Sequence, residues 1–317
     1  MNSICFGQSC IKEIGFTNNK TNNIKGFIMA NFTDLHMKVT AQSALQELNF
    51  ALAPVSEITH NYSELEGRKG EAIVIPDFTG LGEAGEFDAS SNNYFSGTNE
   101  VGSKTVTLDK LFVKSLMFTD RDFGDTEVQF FKDGGIAIAK KMADLTNGYV
   151  FGMINDTNVS NAETLGTVTK NTVANLYKVA ADKDISVGDA VLCLNPLKFS
   201  QLLAILDSST YGGPEAIRRG VVPGLYGFKS VICSNKLPAG TVGAIIGLGT
   251  IAVVNRYNAP GIAGAYPMVE RTTDENGFTI GFRYGMDLAK GYNYLAADCL
   301  VGAKVLDKEK IVRLVEG

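Results

Sequence analysis

Residues 104–155 read KTVTLDKLFVKSLMFTDRDFGDTEVQFFKDGGIAIAKKMADLTNGYVFGMIN, a strand texture that passes into a long helix. Val106, Leu108, Val113, Leu116 and Phe118 are among the apolar positions of the first part, and the stretch reads as strand through residue 118. Thr126 and Gln129 then have the spacing of a capping box, in which each side chain satisfies the other's free backbone N–H. Behind the box, Val128, Phe131, Gly135, Ile138, Met142, Leu145 and Tyr149 recur at alternate steps of three and four. They form one continuous apolar stripe over six turns and predict a helix over 127–155. At 1.5 Å per residue it is ~40 Å long. Gly134 and Gly135 each weaken it by ~1 kcal/mol relative to Ala; close backbone approach to a sheet accounts for them. The stripe fits any long packed helix and by itself carries no function.

Upstream, residues 67–102 differ in texture. A strand-like run at 72–75 is broken by Pro76, and LGEAGEFDASSNNYFSGTNEVG (81–102) follows without periodicity. A stretch this long is unusual inside a compact domain. With order on both sides, it reads as the tip of a long two-stranded arm. Such an arm cannot bury its faces on its own domain, and another copy of the chain is the simplest cover. Before it, Ala41, Ala44, Leu45, Leu48 and Leu52 predict a short amphipathic helix over 40–52, stopped by Pro54. Residues 1–28 contain an Asn/Thr/Lys stretch and no apolar core of a signal peptide, and MANFTDLHMKV from Met29 reads like a fresh start. They are expected to be a disordered tail or a mis-called upstream extension.

Downstream, Val173, Leu176, Tyr177 and Ala180 share one face of a predicted helix over 172–181. From 188 the texture is α/β. A buried strand at 190–194 leads into a helix with Pro196 in its first turn, running through Leu206. Strands follow at 230–234, 242–248 and 251–255, the last two joined by a Gly-rich turn. The final part is strand-rich, at 268–271, 278–284 and 300–306, with Glu275-Asn276-Gly277 as a hairpin turn. Phe278, Ile280, Phe282 and Tyr284 alternate with Thr279, Gly281, Arg283 and Gly285.

Composition narrows function more than it defines it. The formal net charge is −5, so no global basic field recruits nucleic acid for sequence reading. No window nears the roughly 18 consecutive apolar residues of a membrane span. The five cysteines, Cys5, Cys10, Cys193, Cys233 and Cys299, contain no CxxC and read as reduced, mostly buried thiols. His36 and His60 are the two histidines and read as structural or surface residues. Gly80-Leu81-Gly82-Glu83-Ala84-Gly85 matches G-x-G-x-x-G, but no helix begins there and Glu83 and Glu86 would repel phosphate. Asp120, Asp122 and Asp125 read as solvated or capping acids, and Arg218-Arg219 as a surface contact. The sequons at Asn31, Asn61, Asn155 and Asn158 read as chance. Nothing converges as nucleophile, base and oxyanion donor.

Taken in order, these segments resemble the tailed-phage major capsid proteins of the Hong Kong 97 fold, over about residues 30–314. The stretches that carry the resemblance are KTVTLDKLFVKSLMFTDRDF, LCLNPLKFSQLL, GVVPGLYGFKSVICSNKLP and GFRYGMDLAKGYNYLAADCLVGAKVL. It implies an α+β fold, with an N-terminal arm at 29–66 and an extended loop (E-loop) at 67–118. A peripheral domain at 119–187 and 264–317 would carry the long spine helix, and an axial domain would span 188–263. It further implies pentamers and hexamers of this one chain in an icosahedral virion shell, assembled in the host bacterial cytoplasm. The shell would enclose double-stranded DNA without reading its sequence. No catalytic residue, cofactor or metal is expected. A separate scaffolding protein is expected, because the 66 residues ahead of the loop lack a long coiled-coil pattern; a portal is expected as well. Lys69, Glu83, Glu86, Lys104, Arg218 and Arg219 are the candidate inter-subunit contacts. Some relatives join a Lys to an Asn between subunits; Lys69 and Lys104 with Asn276 or Asn293 offer those residue types. Two competing readings are an encapsulin-like nanocompartment shell and a soluble α/β enzyme with the Gly82 loop as a lid.

Overall fold

The computed structural model describes residues 21–63, 66–77, 102–119, 122, 127–205, 221–258, 268–287 and 289–317. For 21–34 and for residues 66, 67, 127, 223 and 268 it describes the backbone alone. In chain order the elements are α1 (Thr21–Ala51), α2 (Ala53–Ile58), β1 (Thr59–Asn61), β2 (Glu66–Gly67), β3 (Ala72–Asp77), β4 (Gly102–Thr107), β5 (Lys110–Phe118) and α3 (Glu127–Phe151). There follow β6 (Ala162–Leu165), α4 (Lys170–Asp182), β7 (Val191–Leu194), α5 (Pro196–Ile205), β8 (Val221–Pro223), β9 (Ser230–Cys233) and β10 (Thr241–Ile246). The last are β11 (Ile251–Asn258), β12 (Met268–Thr273), β13 (Thr279–Asp287), β14 (Tyr292–Val305) and β15 (Ile311–Glu316).

Two sheets organise the chain. The first runs β1-β11-β14-β13-β12, with β2 also on β11 and β5 also on β14. One of its faces carries Phe118, Val253, Ile280, Phe282, Leu295, Ala297 and Cys299, packed under α1 and α3. Phe131, Ile138 and Met142 of α3 and Ala44 and Leu48 of α1 are buried in that layer. Full burial of each large side chain contributes ~1.5–3 kcal/mol. The second sheet runs β6-β15-β10-β7-β9-β8. Its strands alternate between two cores. Cys193, Ile232, Ala244 and Ile311 face the first. Leu192, Leu194, Val231, Ile245 and Leu314 face the second, roofed by Val173, Leu176 and Ala180 of α4 and Phe199 and Leu202 of α5. Buried on both faces, β7 reads as the unbroken apolar run VLCL.

Local signals start both roof helices. The Thr169 hydroxyl accepts from Thr172 N at 3.2 Å and caps α4. Asn195 Oδ1 accepts from Lys198 N at 2.8 Å and caps α5, with Pro196 in its first position.

Several expectations need correction. α1 runs back to Thr21, through Met29, and is far longer than the helix expected over 40–52. The strand at the arm's downstream end is two strands: it breaks at Leu108-Asp109, and β5 pairs with β14 along its length instead of continuing the arm. The spine helix ends at Phe151, and Val128 and Leu145 of its predicted stripe are exposed. Gly134 does approach the sheet, near Leu116 of β5, but Gly135 faces α1. The expected boundaries at 188 and 264 do not follow the sheets: β6, α4 and β15 go with the second sheet and β11 with the first. Hydrogen bonding decides this, because β15 pairs with both β10 and β6. β6 adds a strand between the two helices expected over 127–155 and 172–181. Thr126 of the capping box, residues 1–20, the 80–85 glycine motif and Arg218-Arg219 lie outside the described residues.

Candidate assembly surface

The arm is a two-stranded hairpin in which β3 and β4 pair antiparallel from Ala72↔Thr107 to Asp77↔Gly102. Its base does bury a face on its own domain, contrary to the expectation. Ile75, Val106 and Leu108 close a small core with Ala252, Val254 and Leu300, on the face of the first sheet opposite α1 and α3. The other face of the hairpin is uncovered, and Val74 there is 64% exposed.

Polar groups fix the base at three more points. Lys104 Nζ lies 2.7 Å from Asp77 Oδ2 and donates to the Leu306 carbonyl. Arg256, itself buried, pairs with Glu71 at 2.8 Å. The backbone N–H of Arg68, and then Arg256, hold the Glu71 carboxyl below its ordinary range. Lys304 Nζ donates to the Thr105 carbonyl at 3.0 Å. Beside it, a Cβ on Gly302 would stand 2.3 Å from the Thr107 oxygen, so only glycine lets β4 lie against β14.

The elbow between β4 and β5 is tied to α3. Tyr149 donates its hydroxyl proton to Asp109 Oδ1 at 2.8 Å, Lys110 Nζ lies 5.9 Å from the centre of the same ring, and Phe112 meets it edge-on. Burial first, and then the Asp109 bond, push the Tyr149 hydroxyl pKa well above its ordinary value. β5 has no strand on its far edge among the described residues, and Leu111, Val113 and Met117 are exposed along it. An exposed apolar edge is a ready template for another chain.

Of the residues singled out from sequence, Lys69 is exposed in the turn before β3. Lys104 is committed to Asp77 and Leu306 of its own chain. Glu83, Glu86, Arg218 and Arg219 lie outside the described residues. Asn293 is buried and its Oδ1 accepts from the Tyr284 hydroxyl at 2.9 Å, which removes it from a neighbour's reach. Asn276 sits exposed in the β12–β13 turn. Sequence reading missed the Arg256–Glu71 and Tyr149–Asp109 pairs, because each joins segments distant in the chain. Cys193, Cys233 and Cys299 are free thiols, and burial pushes each of their pKa values up. His36 is buried and stacks on Phe131 with ring centres 4.7 Å apart, and His60 is exposed. Asp122 caps its own turn, accepting from Thr119 N at 2.6 Å. Among the described residues, no helix is long and apolar enough to cross a membrane, and no group of His, Cys, Asp and Glu could hold a metal ion.

Comparisons with known proteins point the same way. A family model described as phage capsid protein matches residues 100–313. No curated protein matches the sequence. Among solved structures, the capsid of the cyanophage P-SCSP1u is similar with a TM-score of 0.51, at 13% identity over 82% of this chain and 86% of that one. The Gordonia phage Cozz structure gives 0.52, at 12% identity over 84% and 86%. A virus-like particle from Pyrococcus furiosus gives 0.51, at 14% identity over 87% and 97%.

Proposed function

Because the chain belongs to the phage capsid protein family, with the Hong Kong 97 fold, we infer how it works as a structural subunit of a capsid. It self-associates into pentamers and hexamers that close an icosahedral shell around double-stranded DNA. It does no chemistry of its own. A separate scaffolding protein guides closure and a portal occupies one vertex, both within the host cytoplasm. One observation supports this reading: a hairpin seated on its own sheet by one face, with the other face, at Val74, left uncovered by the chain. Exposed apolar surface on a rigid projection marks a partner surface. Charged pairs across such contacts set register more than affinity.

The virus-like particle from Pyrococcus furiosus shares the fold alone, so a nanocompartment is not favoured over the family match. An enzyme with a Gly82 lid is not favoured either. Negative-stain electron microscopy of the purified chain, with and without the product of a neighbouring scaffold-type gene, tests the reading. Closed shells or rings of five and six are expected. A protein that stays monomeric under every condition overturns it.

A further inference from the structure

Between α2, β1, β11 and the β12–β13 turn lies a cavity of about 270 Å³. Leu52, Val55, Val253 and Phe278, all buried, give it an apolar lining. Much of its polar lining is already engaged. The Ser56 and Thr59 hydroxyls donate to the Ala53 and Val55 carbonyls. Asn61 donates to the Asn276 carbonyl and accepts from Ser63. Two groups are left over. His60 is exposed and meets Tyr62 edge-on, with no hydrogen bond among the described residues. Asp274 is only 6% exposed; its Oδ1 accepts from the Asn276 and Phe278 backbone N–H groups, and no hydrogen bond reaches its Oδ2. The Asn276 side chain and the Glu275 carboxylate stand near it, and among the described residues no Lys or Arg pairs with it.

An apolar cavity with a few unspent polar groups, one of them a carboxyl whose proton affinity burial has raised, has the character of a small-ligand site. A second cleft, by the arm's base, offers no such remainder: Lys104 holds Asp77, Lys310 holds the Asp184 carbonyl, and Asp189 accepts from Ser186. We propose that the cavity at Asp274 binds a small organic cation, an ammonium or amidinium on a compact apolar body. The charged end lies at Asp274 and the body against Val55, Val253 and Phe278. His60 in its neutral form can accept a second N–H from the same group. Asp274 and Glu275 together disfavour an anion, and a neutral hydrocarbon leaves the carboxyl without a counter-charge. The lining joins α2 and β1 to the first sheet, so an occupied cavity resists unfolding. This goes beyond the shell-subunit reading and does not depend on it.

The test titrates the purified full chain with phenethylamine and with its uncharged counterpart, phenethyl alcohol, by isothermal calorimetry. The amine is expected to bind about tenfold or more tightly, because it alone makes a charge-assisted bond to the carboxylate. It is also expected to raise the melting temperature where the alcohol does not. The chain has two histidines, so proton NMR locates the site: the His60 ring signals should move with the amine and those of the buried His36 should not. Asp274→Asn is expected to bring the amine down to the alcohol's affinity. Equal binding of amine and alcohol overturns the proposal, as do unmoved His60 signals or a folded Asp274→Asn chain that binds the amine like wild type. If that variant does not fold, the wild-type comparison and the His60 signals decide alone. None of these outcomes bears on shell formation.

Discussion

Gly135 of α3 sits so close to Thr40 of α1 that a methyl group on it would stand 2.6 Å from the Thr40 carbonyl oxygen. The two helices cross closely here, and the Thr40 hydroxyl donates to the Phe131 carbonyl at 3.3 Å. Gly135→Ala is therefore expected to destabilise the protein by ~1–3 kcal/mol, despite its better helix propensity. Gly148, in the same helix with nothing within 4 Å of a built Cβ, is the control. Gly148→Ala should gain up to ~1 kcal/mol. Denaturant titrations of both variants check the pair; equal effects would deny the contact.

Lys104 reads as the pin of the arm. Lys104→Ala leaves the Leu306 carbonyl and Asp77 without their shared donor and should loosen the hairpin by ~1 kcal/mol. Hydrogen exchange is the measurement: amides of residues 72–77 and 102–107 should exchange several-fold faster, with those of α4 unchanged. Uniform exchange across both regions would mean that the lysine holds nothing in particular.

Arg283 and Asp298 form a pair in which both partners are nearly buried, 2.8 Å apart, and the guanidinium also lies over the Tyr257 ring. Removing one partner strands the other charge. Arg283→Met is expected to cost ~3–5 kcal/mol, and the double variant with Asp298→Leu less than the sum of the singles. A double-mutant cycle by thermal melting decides it, and additive losses would deny the coupling.

Asp274 sets a pH dependence of unusual sign. Burial raises its pKa above 3.8, against the hydrogen bonds it accepts from Phe278 N at 2.6 Å and Asn276 N at 3.0 Å. The folded chain thus holds this proton more tightly than the unfolded one, so the group adds stability as pH falls through its folded pKa toward 3.8. Asp274→Asn keeps an acceptor for both N–H groups and removes the titration. Melting temperature, wild type minus variant, should grow as pH is lowered from 7 to 4; a constant difference would remove Asp274 as the cause.

The helix stripe, the hairpin and most strands were legible because each is a local pattern. Phe131, Ile138 and Met142 are buried as their spacing requires, and the alternation along 72–77 survives as a buried Ile75 beside an exposed Val74. What failed to read depends on partners far along the chain. β5 looked like the arm's second leg because nothing in its own residues announces β14. β13 looked half-exposed, yet Thr279 and Arg283 are buried and the Tyr257 ring fills the place a side chain at Gly281 would take. The candidate contacts were chosen by residue type. Type alone does not reveal that Lys104 is satisfied within its own chain.

The long strand β14 has a consequence for the order of events during synthesis. Lys110 pairs with Val301 and Phe118 with Asn293, while Leu108 packs against Leu300. Until those residues leave the ribosome, β5 has no strand to pair with and the hairpin's base lacks part of its core. A nascent chain that has not reached them therefore cannot seat its arm in full. The topology makes the seating of the arm wait for a strand far downstream in the chain.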